Sequence, residues 1–475
     1  KDFLLIQQRS SVSRNLALIC LDTVRKDYFD EFAPRIASKG VTIDHCRAAS
    51  SWSVPSHASM LTGLLPHQHG VHTFNRDFST IARSDTLIAG LDGYRAVGAS
   101  ANVYASSSFG FDAFFDEYSD VAPQRRFPAG IDVGRFAHDF EGQSGSRARA
   151  FFQAAISHPH PIQSLLNGAF VKLNDLQKMT PVPKLFDDGA AIVSREAKRL
   201  VDRGREPFFL FANFMDAHPP LQHTRGYDRS LHSAPKNWTS AGIDDRTVSD
   251  DPTVQERYTG LYAAAIDYLD RRVSTLITAL RSMTNRETTI VVTADHGQNL
   301  GTTVDDGLVG HVKTSLTEGV LHVPLCVINP PDGFEPPTEY VSHLDLQNMF
   351  CDLADDRVPN LGRNTLPAEV IGIGDADPTL GPDDDPTWDR MIRAAYRNGE
   401  KYIWDSTGER IRYGLDRDQP NWQQLSERNV NLPGWATAMF DIELDAYRKT
   451  AQQSGRDSLD VDAATADRLS DLGYL

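Results

Sequence analysis

The chain has 475 residues, enough for one large α/β domain with a smaller partner or for two to three ordinary domains, and 40% of them are hydrophobic, enough for a substantial core. A formal net charge of -16 argues against nucleic acid as the main partner. The four cysteines have no CxxC spacing, and Cys20 and Cys326 lie inside apolar runs, so buried thiols are expected rather than disulfides or metal ligands.

In chain order, Lys1–Ile6 offers too short an apolar core for a signal peptide, and no later stretch is long and apolar enough to span a membrane. The expected compartment is therefore the cytoplasm, although the absence of an initiator Met leaves localisation open. Leu16–Leu21 is a continuous aliphatic run that reads as a buried strand, and it ends at Asp22. Ser53-Val54-Pro55-Ser56-His57 and the residues to Gly63 then place a hydroxyl at the start of a helix, where oxyanions bind well. A simple helix cap, with Pro55 just inside the start, is the bland reading of Ser53 and is compatible with a catalytic one. His67, His69 and His72 have a tempting spacing, but they sit in a turn with Pro66 and Gly70 and are not read as a zinc site.

The stretches around 105–185 and 222–256 are weakly periodic and rich in turn residues; they read as insertions around a site. Pro207–Phe214 is another buried strand, followed by Asp216-Ala217-His218. Tyr262, Ile266, Leu269, Val273, Leu276 and Leu280 step by three and four along an amphipathic helix. That helix leads into the strand Thr289–Thr293, which delivers Asp295-His296-Gly297. Leu321–Ile328 reads as a further strand, and Asp345 as the N-cap of a helix ending near Leu353.

Alternating strands and helices predict an α/β fold, a large mixed, mostly parallel sheet flanked by helices over residues 1–355. Residues 356–388, acidic and rich in Pro and Gly, read as a connecting segment. Ile392–Tyr396, Lys401–Trp404 and Arg410–Tyr413 are short strands, and Asn398-Gly399 is a strong hairpin signal. Residues 389–475 should form a small C-terminal α+β domain containing an antiparallel sheet. In open α/β sheets chemistry collects at the carboxyl ends of strands, and two carboxylates with an imidazole, Asp22, Asp295 and His296, look like ligands for a hard metal there.

These segments together resemble the sulfatase family, within the alkaline phosphatase superfamily of metal-dependent hydrolases. The resemblance runs in order through Leu21-Asp22-Thr23-Val24-Arg25, the Ser53–Gly63 signature, Asp216-Ala217-His218-Pro219, Tyr268-Leu269-Asp270, Thr293–Gly297 and His322-Val323-Pro324-Leu325. It implies one divalent cation, calcium first and magnesium, manganese or zinc after it, held by Asp22, Asp295 and His296, with Ser53 as the nucleophile. Thr23 stands where members often carry a second acid. Ser53 stands where sulfatases carry the residue converted to formylglycine, so a maturation enzyme becomes a partner if that conversion occurs; the expected Arg of the conversion motif is His57 here.

His57 is assigned to orienting or deprotonating Ser53. The resemblance implies that His218 is the general acid or oxyanion contact, and His311 and Lys313 are assigned to stabilising charge. Asn102 is assigned to substrate binding, in a loop where members commonly carry Lys and His. A second metal at Asp216, His218 and His311 is weighed and disfavoured.

The implied activity is hydrolysis of a small-molecule or glycan sulfate ester, with no nucleic-acid or membrane partner. Phosphoester or phosphonate ester hydrolysis on the same scaffold is the alternative, and a non-catalytic glycan-binding member is the third reading.

Overall fold

The structure is a computed structural model that describes residues 13–122, 125–140, 146–178, 182–202, 204, 206–241, 243, 251–311, 315–372, 390–454, 461, 465, 466, 468 and 469. Asn15–Leu21, Phe208–Phe214 and Thr288–Thr293 are strands in which every residue is buried. Side chains covered on both faces explain why these segments read as unbroken apolar runs rather than alternating ones. They form the middle of a seven-stranded sheet, in the order 40–43, 325–328, 288–293, 15–21, 208–214, 95–100, 117–120. The pairings of Asn15–Leu21 with both neighbours are parallel, and so are those of Arg95–Ser100. Leu325–Ile328 alone runs against the rest, antiparallel to both its neighbours.

The expected strand over Leu321–Ile328 is shorter than predicted. Glu318–Leu321 is a helical turn and the strand begins at Leu325. Pro324 has no N–H to give to a ladder, so it stands just before the strand. The amphipathic pattern around Tyr262–Leu280 belongs to a helix of 31 residues, Pro252–Ser282. Its N-cap is Asp251, which accepts from Thr253 N at 2.8 Å. Asp345 does not cap the following helix with its side chain. It turns back instead, accepting from Ser342 N at 2.8 Å and pairing with Arg363 at 2.6 Å. The weakly periodic stretch after residue 125 carries three helices, Val133–Asp139, Arg147–Ser157 and Pro161–Lys178. Cys20, Cys46 and Cys326 are buried free thiols.

The C-terminal part holds a five-stranded antiparallel meander, 365–370, 392–397, 400–405, 410–415 and 423–428. Asn398 and Gly399 both have positive φ, 53° and 78°, as the tight turn between the second and third strands requires. Its first strand, Thr365–Val370, lies inside the segment read as a connector and pairs along its whole length with Ile392–Arg397. The Pro and Gly content there masked it: Pro367 is tolerated because the strand is at the sheet edge.

Buried charge ties this sheet to the larger one. Glu318 receives Arg47 Nε at 2.8 Å, Lys401 Nζ at 3.0 Å and the Tyr396 hydroxyl at 2.7 Å. His67 contacts Glu369 Oε1 through Nδ1 at 2.7 Å and Asp441 Oδ1 through Nε2 at 2.6 Å. Desolvation pulls the His67 pKa down, but the Glu369 carboxylate, helped by Asp441, leaves it above the ordinary histidine value. A raised folded-state pKa stabilises fully below the unfolded value of about 6.5, and that stabilisation is lost as pH rises through the folded value. Between about pH 6 and pH 9 the melting temperature of the wild type should therefore fall by roughly 1–3 °C more than that of His67→Gln. Parallel pH curves for the two proteins would remove this role from His67.

Candidate active site

Four strands of the large sheet end on one side and bring the predicted residues together. Asp22 follows Asn15–Leu21, Asn102 follows Arg95–Ser100, Asn213 closes Phe208–Phe214, and Asp295-His296 follow Thr288–Thr293. Asp22, Ser53, His57, Asn102, Asn213, Asp295 and His296 are all buried.

The helix Ser53–Thr62 begins at the nucleophile candidate and ends at Gly63, which has the left-handed φ of 69° that a helix stop favours. Trp52 is its N-cap residue and makes no side-chain capping bond, so the Ser53 hydroxyl is not spent as a cap. It accepts from Asn102 Nδ2 at 3.0 Å and lies 3.4 Å from His296 Nε2. The same Asn102 nitrogen donates to Asp22 Oδ2 at 2.6 Å. Asn102 is itself oriented by Tyr104 N, which donates to its Oδ1 at 2.8 Å. Asn102 therefore bridges the hydroxyl and the first carboxylate.

His57 sits one turn into the helix. Its Nδ1 lies 2.7 Å from the Ser53 carbonyl oxygen, to which it donates, and its Nε2 accepts from Asn213 Nδ2 at 2.8 Å. Both nitrogens are thus committed, and His57 holds the backbone of Ser53 rather than its hydroxyl. Burial lowers its pKa, which suits this neutral tautomer. Asn213 was not singled out in the sequence. The available signal was one amide in an otherwise apolar strand.

Asp295 Oδ1 accepts from His296 N at 2.9 Å and from Thr23 N at 3.3 Å. Thr23 reaches this position with a left-handed φ of 62°, an unusual conformation for a β-branched residue, and its hydroxyl donates to the Asp22 carbonyl at 2.7 Å. His296 Nδ1 donates to the Gly297 carbonyl at 2.8 Å, which turns Nε2 toward Ser53 and Asp295. Gly297 has to be glycine: a Cβ there would stand 2.2 Å from the Gly319 oxygen, where the chain is pinned by Gly297 N donating to Val320 O at 2.8 Å.

Two carboxylates buried side by side are costly. Desolvation, and then the neighbouring Asp295, raise the Asp22 pKa well above the carboxylate range. Asp22 Oδ1 and Asp295 Oδ2 have no hydrogen-bond partner in the protein. One ligand atom each from Asp22, Asp295 and His296 lies within 4.8 Å of the others. Orphaned carboxyl oxygens converging with an imidazole nitrogen fit a divalent cation.

His218 and His311 complete a row of imidazoles, with ring centroids 4.5 Å apart for His296–His311 and 4.9 Å for His311–His218. His218 Nδ1 is bonded to the Pro219 carbonyl, and His311 Nδ1 donates to Gln298 Oε1 at 2.6 Å. Burial lowers the His218 pKa to about 4 and takes that of His311 well below the usual histidine value, so both rings are neutral before an anion arrives. Asp216 points elsewhere: its carboxylate accepts from Asp188 N and Ala190 N, at 3.0 and 3.1 Å, at the start of the Ala190–Val201 helix. Lys313 lies outside the described residues.

The family model described as Sulfatase matches residues 14–356. A comparison with curated protein sequences gives no match. Among solved structures, the chain is similar to BT1596, a 2-O GAG sulfatase, at 14% identity over 95% of each chain, with a TM-score of 0.56. It is similar to the phosphonate monoester hydrolase of Agrobacterium radiobacter at 15% identity over 97% of this chain and 96% of that one, with a TM-score of 0.57. A third match, at 14% identity over 95% and 99% with a TM-score of 0.54, is BT4656 in complex with its substrate D-glucosamine-2-N,6-O-disulfate. At such identities the likeness is one of fold.

Proposed function

The chain belongs to the sulfatase family, and from that premise we propose that it is a metal-dependent hydrolase that cleaves a sulfate ester by displacement at sulfur, with Ser53 as nucleophile. The observation that carries this reading is the Ser53 hydroxyl held by Asn102 beside His296 and the paired carboxylates Asp22 and Asp295. Bound by Asp22, Asp295 and His296, a divalent cation, calcium first, would supply the charge that neutralises the two carboxylates and favours an ionised nucleophile.

The protein's own groups do the rest. His57, locked by Asn213, fixes the Ser53 backbone, and Asn102 fixes its oxygen. The helix beginning at Ser53 turns its positive end toward an arriving oxyanion. The Ser53 oxygen gives up its proton to water and forms a bond to sulfur as the bond to the alcohol oxygen breaks, and that oxygen takes up a proton. Water then breaks the Ser53–sulfate ester, or, where Ser53 has become a hydrated aldehyde, its second hydroxyl loses a proton and collapses to the aldehyde with release of sulfate. His218 is assigned to the leaving alcohol oxygen: an anionic ester beside it raises its depressed pKa, so that it carries a proton when the proton is needed. His311 and Lys313 are assigned to the remaining oxygens. Sulfated sugars and small aryl sulfates are the first substrates to test, because the similar structures include a 2-O GAG sulfatase and a protein in complex with its substrate D-glucosamine-2-N,6-O-disulfate.

A second reading, hydrolysis of a phosphonate or phosphate ester, is favoured by one feature. His57 occupies the place of the conversion motif's Arg, and its ring is neutral and fully hydrogen-bonded. A serine that stays a serine must form an ester that water then breaks. Rates on 4-nitrophenyl sulfate, 4-nitrophenyl phosphate and a phenylphosphonate monoester, with Ca, Mg, Mn or Zn in turn, separate the two. Sulfate should lead in kcat/KM by at least about tenfold, a margin of roughly 1.4 kcal/mol in transition-state binding. The opposite order transfers the assignment to the second reading. In protein from the native host, the tryptic peptide spanning Ser53 weighs two hydrogens less if the side chain has become an aldehyde.

A further inference from the structure

Nine large hydrophobic side chains are exposed among the described residues, and six of them fall between positions 152 and 182: Phe152, Ile156, Ile162, Leu166, Leu173 and Val182. Five of the six lie on the paired helices Arg147–Ser157 and Pro161–Lys178, which pack on each other where Gly168 meets the Phe151 ring. Phe152, Ile156 and Ile162 are each more than half exposed. On the longer helix the exposed apolar residues follow an i, i+4, i+11 spacing, which is a single stripe.

The stripe faces outward because the opposite face is anchored by polar bonds. Asn167 is buried, accepts from Phe127 N at 3.0 Å, and donates to the carbonyls of Phe127 and Ile131 at 3.0 and 3.1 Å. Ser164, also buried, accepts from Ile131 N at 3.0 Å. A surface helix ordinarily buries its apolar stripe and exposes its polar one. This helix packs Phe170 against the Phe127 and Phe186 rings yet leaves Ile162, Leu166 and Leu173 exposed as well.

Charge identifies the occupant. Between positions 147 and 178 four Lys and Arg stand against one Asp, in a chain whose net charge is -16. Arg135, Arg147, Arg149 and Lys172 are exposed. Apolar side chains flanked by basic ones, on a helix that carries Lys172, Asp175 and Lys178 and so does not span a membrane, match a bilayer surface containing anionic lipid. A like hairpin from a second copy would meet it with the same sign of charge.

We propose that the helical pair 147–178 docks the protein on anionic phospholipid membranes. The root of the pair is fixed to the site side of the fold. Arg126 pairs with Asp187 at 2.9 Å, and Asp188 N donates to Asp216 Oδ1, two residues before His218. Docking through this pair therefore holds the pocket at a set position relative to the lipid headgroups, whichever ester the pocket cleaves.

The test is co-sedimentation of the full chain with vesicles of phosphatidylcholine alone and of phosphatidylcholine with phosphatidylglycerol. The expected result is binding to the anionic vesicles that weakens at high salt. Two variants should each weaken it by at least about tenfold: Phe152→Asp with Ile156→Asp and Ile162→Asp, and Arg147→Glu with Arg149→Glu and Lys172→Glu. An unchanged melting temperature shows that each variant is folded. Absence of binding, equal binding to both vesicle types, or binding that survives both variants overturns the proposal. So does a solution dimer that the Asp variant dissociates, which would make a second copy the occupant.

Discussion

Ser53→Ala is expected to lower kcat/KM by about three orders of magnitude or more while the protein stays folded. The loss of rate corresponds to roughly 4 kcal/mol of transition-state stabilisation. The cost in stability is smaller, because the hydroxyl does not hold the helix. Trp52 is the N-cap residue, and the Ser53 backbone is held through its carbonyl by His57 rather than through its side chain. What the substitution leaves behind is one Asn102 N–H without its acceptor, while that amide keeps Asp22. An unpaired buried donor costs about 1–3 kcal/mol, and water entering the space of the lost oxygen lowers that figure. Steady-state kinetics and a thermal melt on the same preparation check both halves. Turnover within about tenfold of the wild type would remove Ser53 from the role of nucleophile.

The sequence made this residue visible because its surroundings are local: a polar residue, a proline two positions on, and then a helix pattern up to a glycine stop. Asp22 and Asp295-His296 were visible for a similar reason, since each follows an apolar run and the strand-end rule says where such residues gather. Asn213 is the opposite case. Its partner His57 is 156 residues away, and nothing near Asn213 in the chain encodes that contact.

His57 was expected to orient or deprotonate Ser53, and its ring contacts are only partly local. Its contact with the Ser53 carbonyl, four residues back in the same helix, follows from the spacing, whereas the Asn213 donor on its other nitrogen depends on the tertiary fold. Strand direction was also hidden. The buried run Leu325–Ile328 has the same composition whether parallel or antiparallel, and only the pairing shows that it runs against its neighbours. Gln423–Arg428 went unseen because five of its six residues are exposed, so an edge strand carried no apolar pattern to detect. The helical pair 147–178 was obscure because Ser164 and Asn167 face inward while Ile162, Leu166 and Leu173 face outward, which blurs the usual apolar-in pattern.

Asp295→Asn should abolish turnover and the stabilisation by added cation, yet leave a cation-free protein that melts higher than the cation-free wild type. The amide is nearly isosteric. Its oxygen can keep the bonds from His296 N and Thr23 N that Asp295 Oδ1 now accepts. Its nitrogen then takes the place of Oδ2, which has no partner in the protein, and faces Asp22, whose Oδ1 is also without one. A repulsive pair of buried carboxylates becomes a donor and an acceptor, and the penalty that raises the Asp22 pKa is relieved. In the wild type a cation held by Asp22, Asp295 and His296 would relieve the same repulsion. At a free concentration about a hundred times its Kd it would contribute about 2.7 kcal/mol of stability, a rise of several degrees in melting temperature. Melts with chelator and with each of Ca, Mg, Mn and Zn measure both effects and rank the ions. A variant that keeps the cation-dependent rise would mean that the ion binds elsewhere, and the cluster of Asp22, Asp295 and His296 would then need another explanation for its orphaned oxygens.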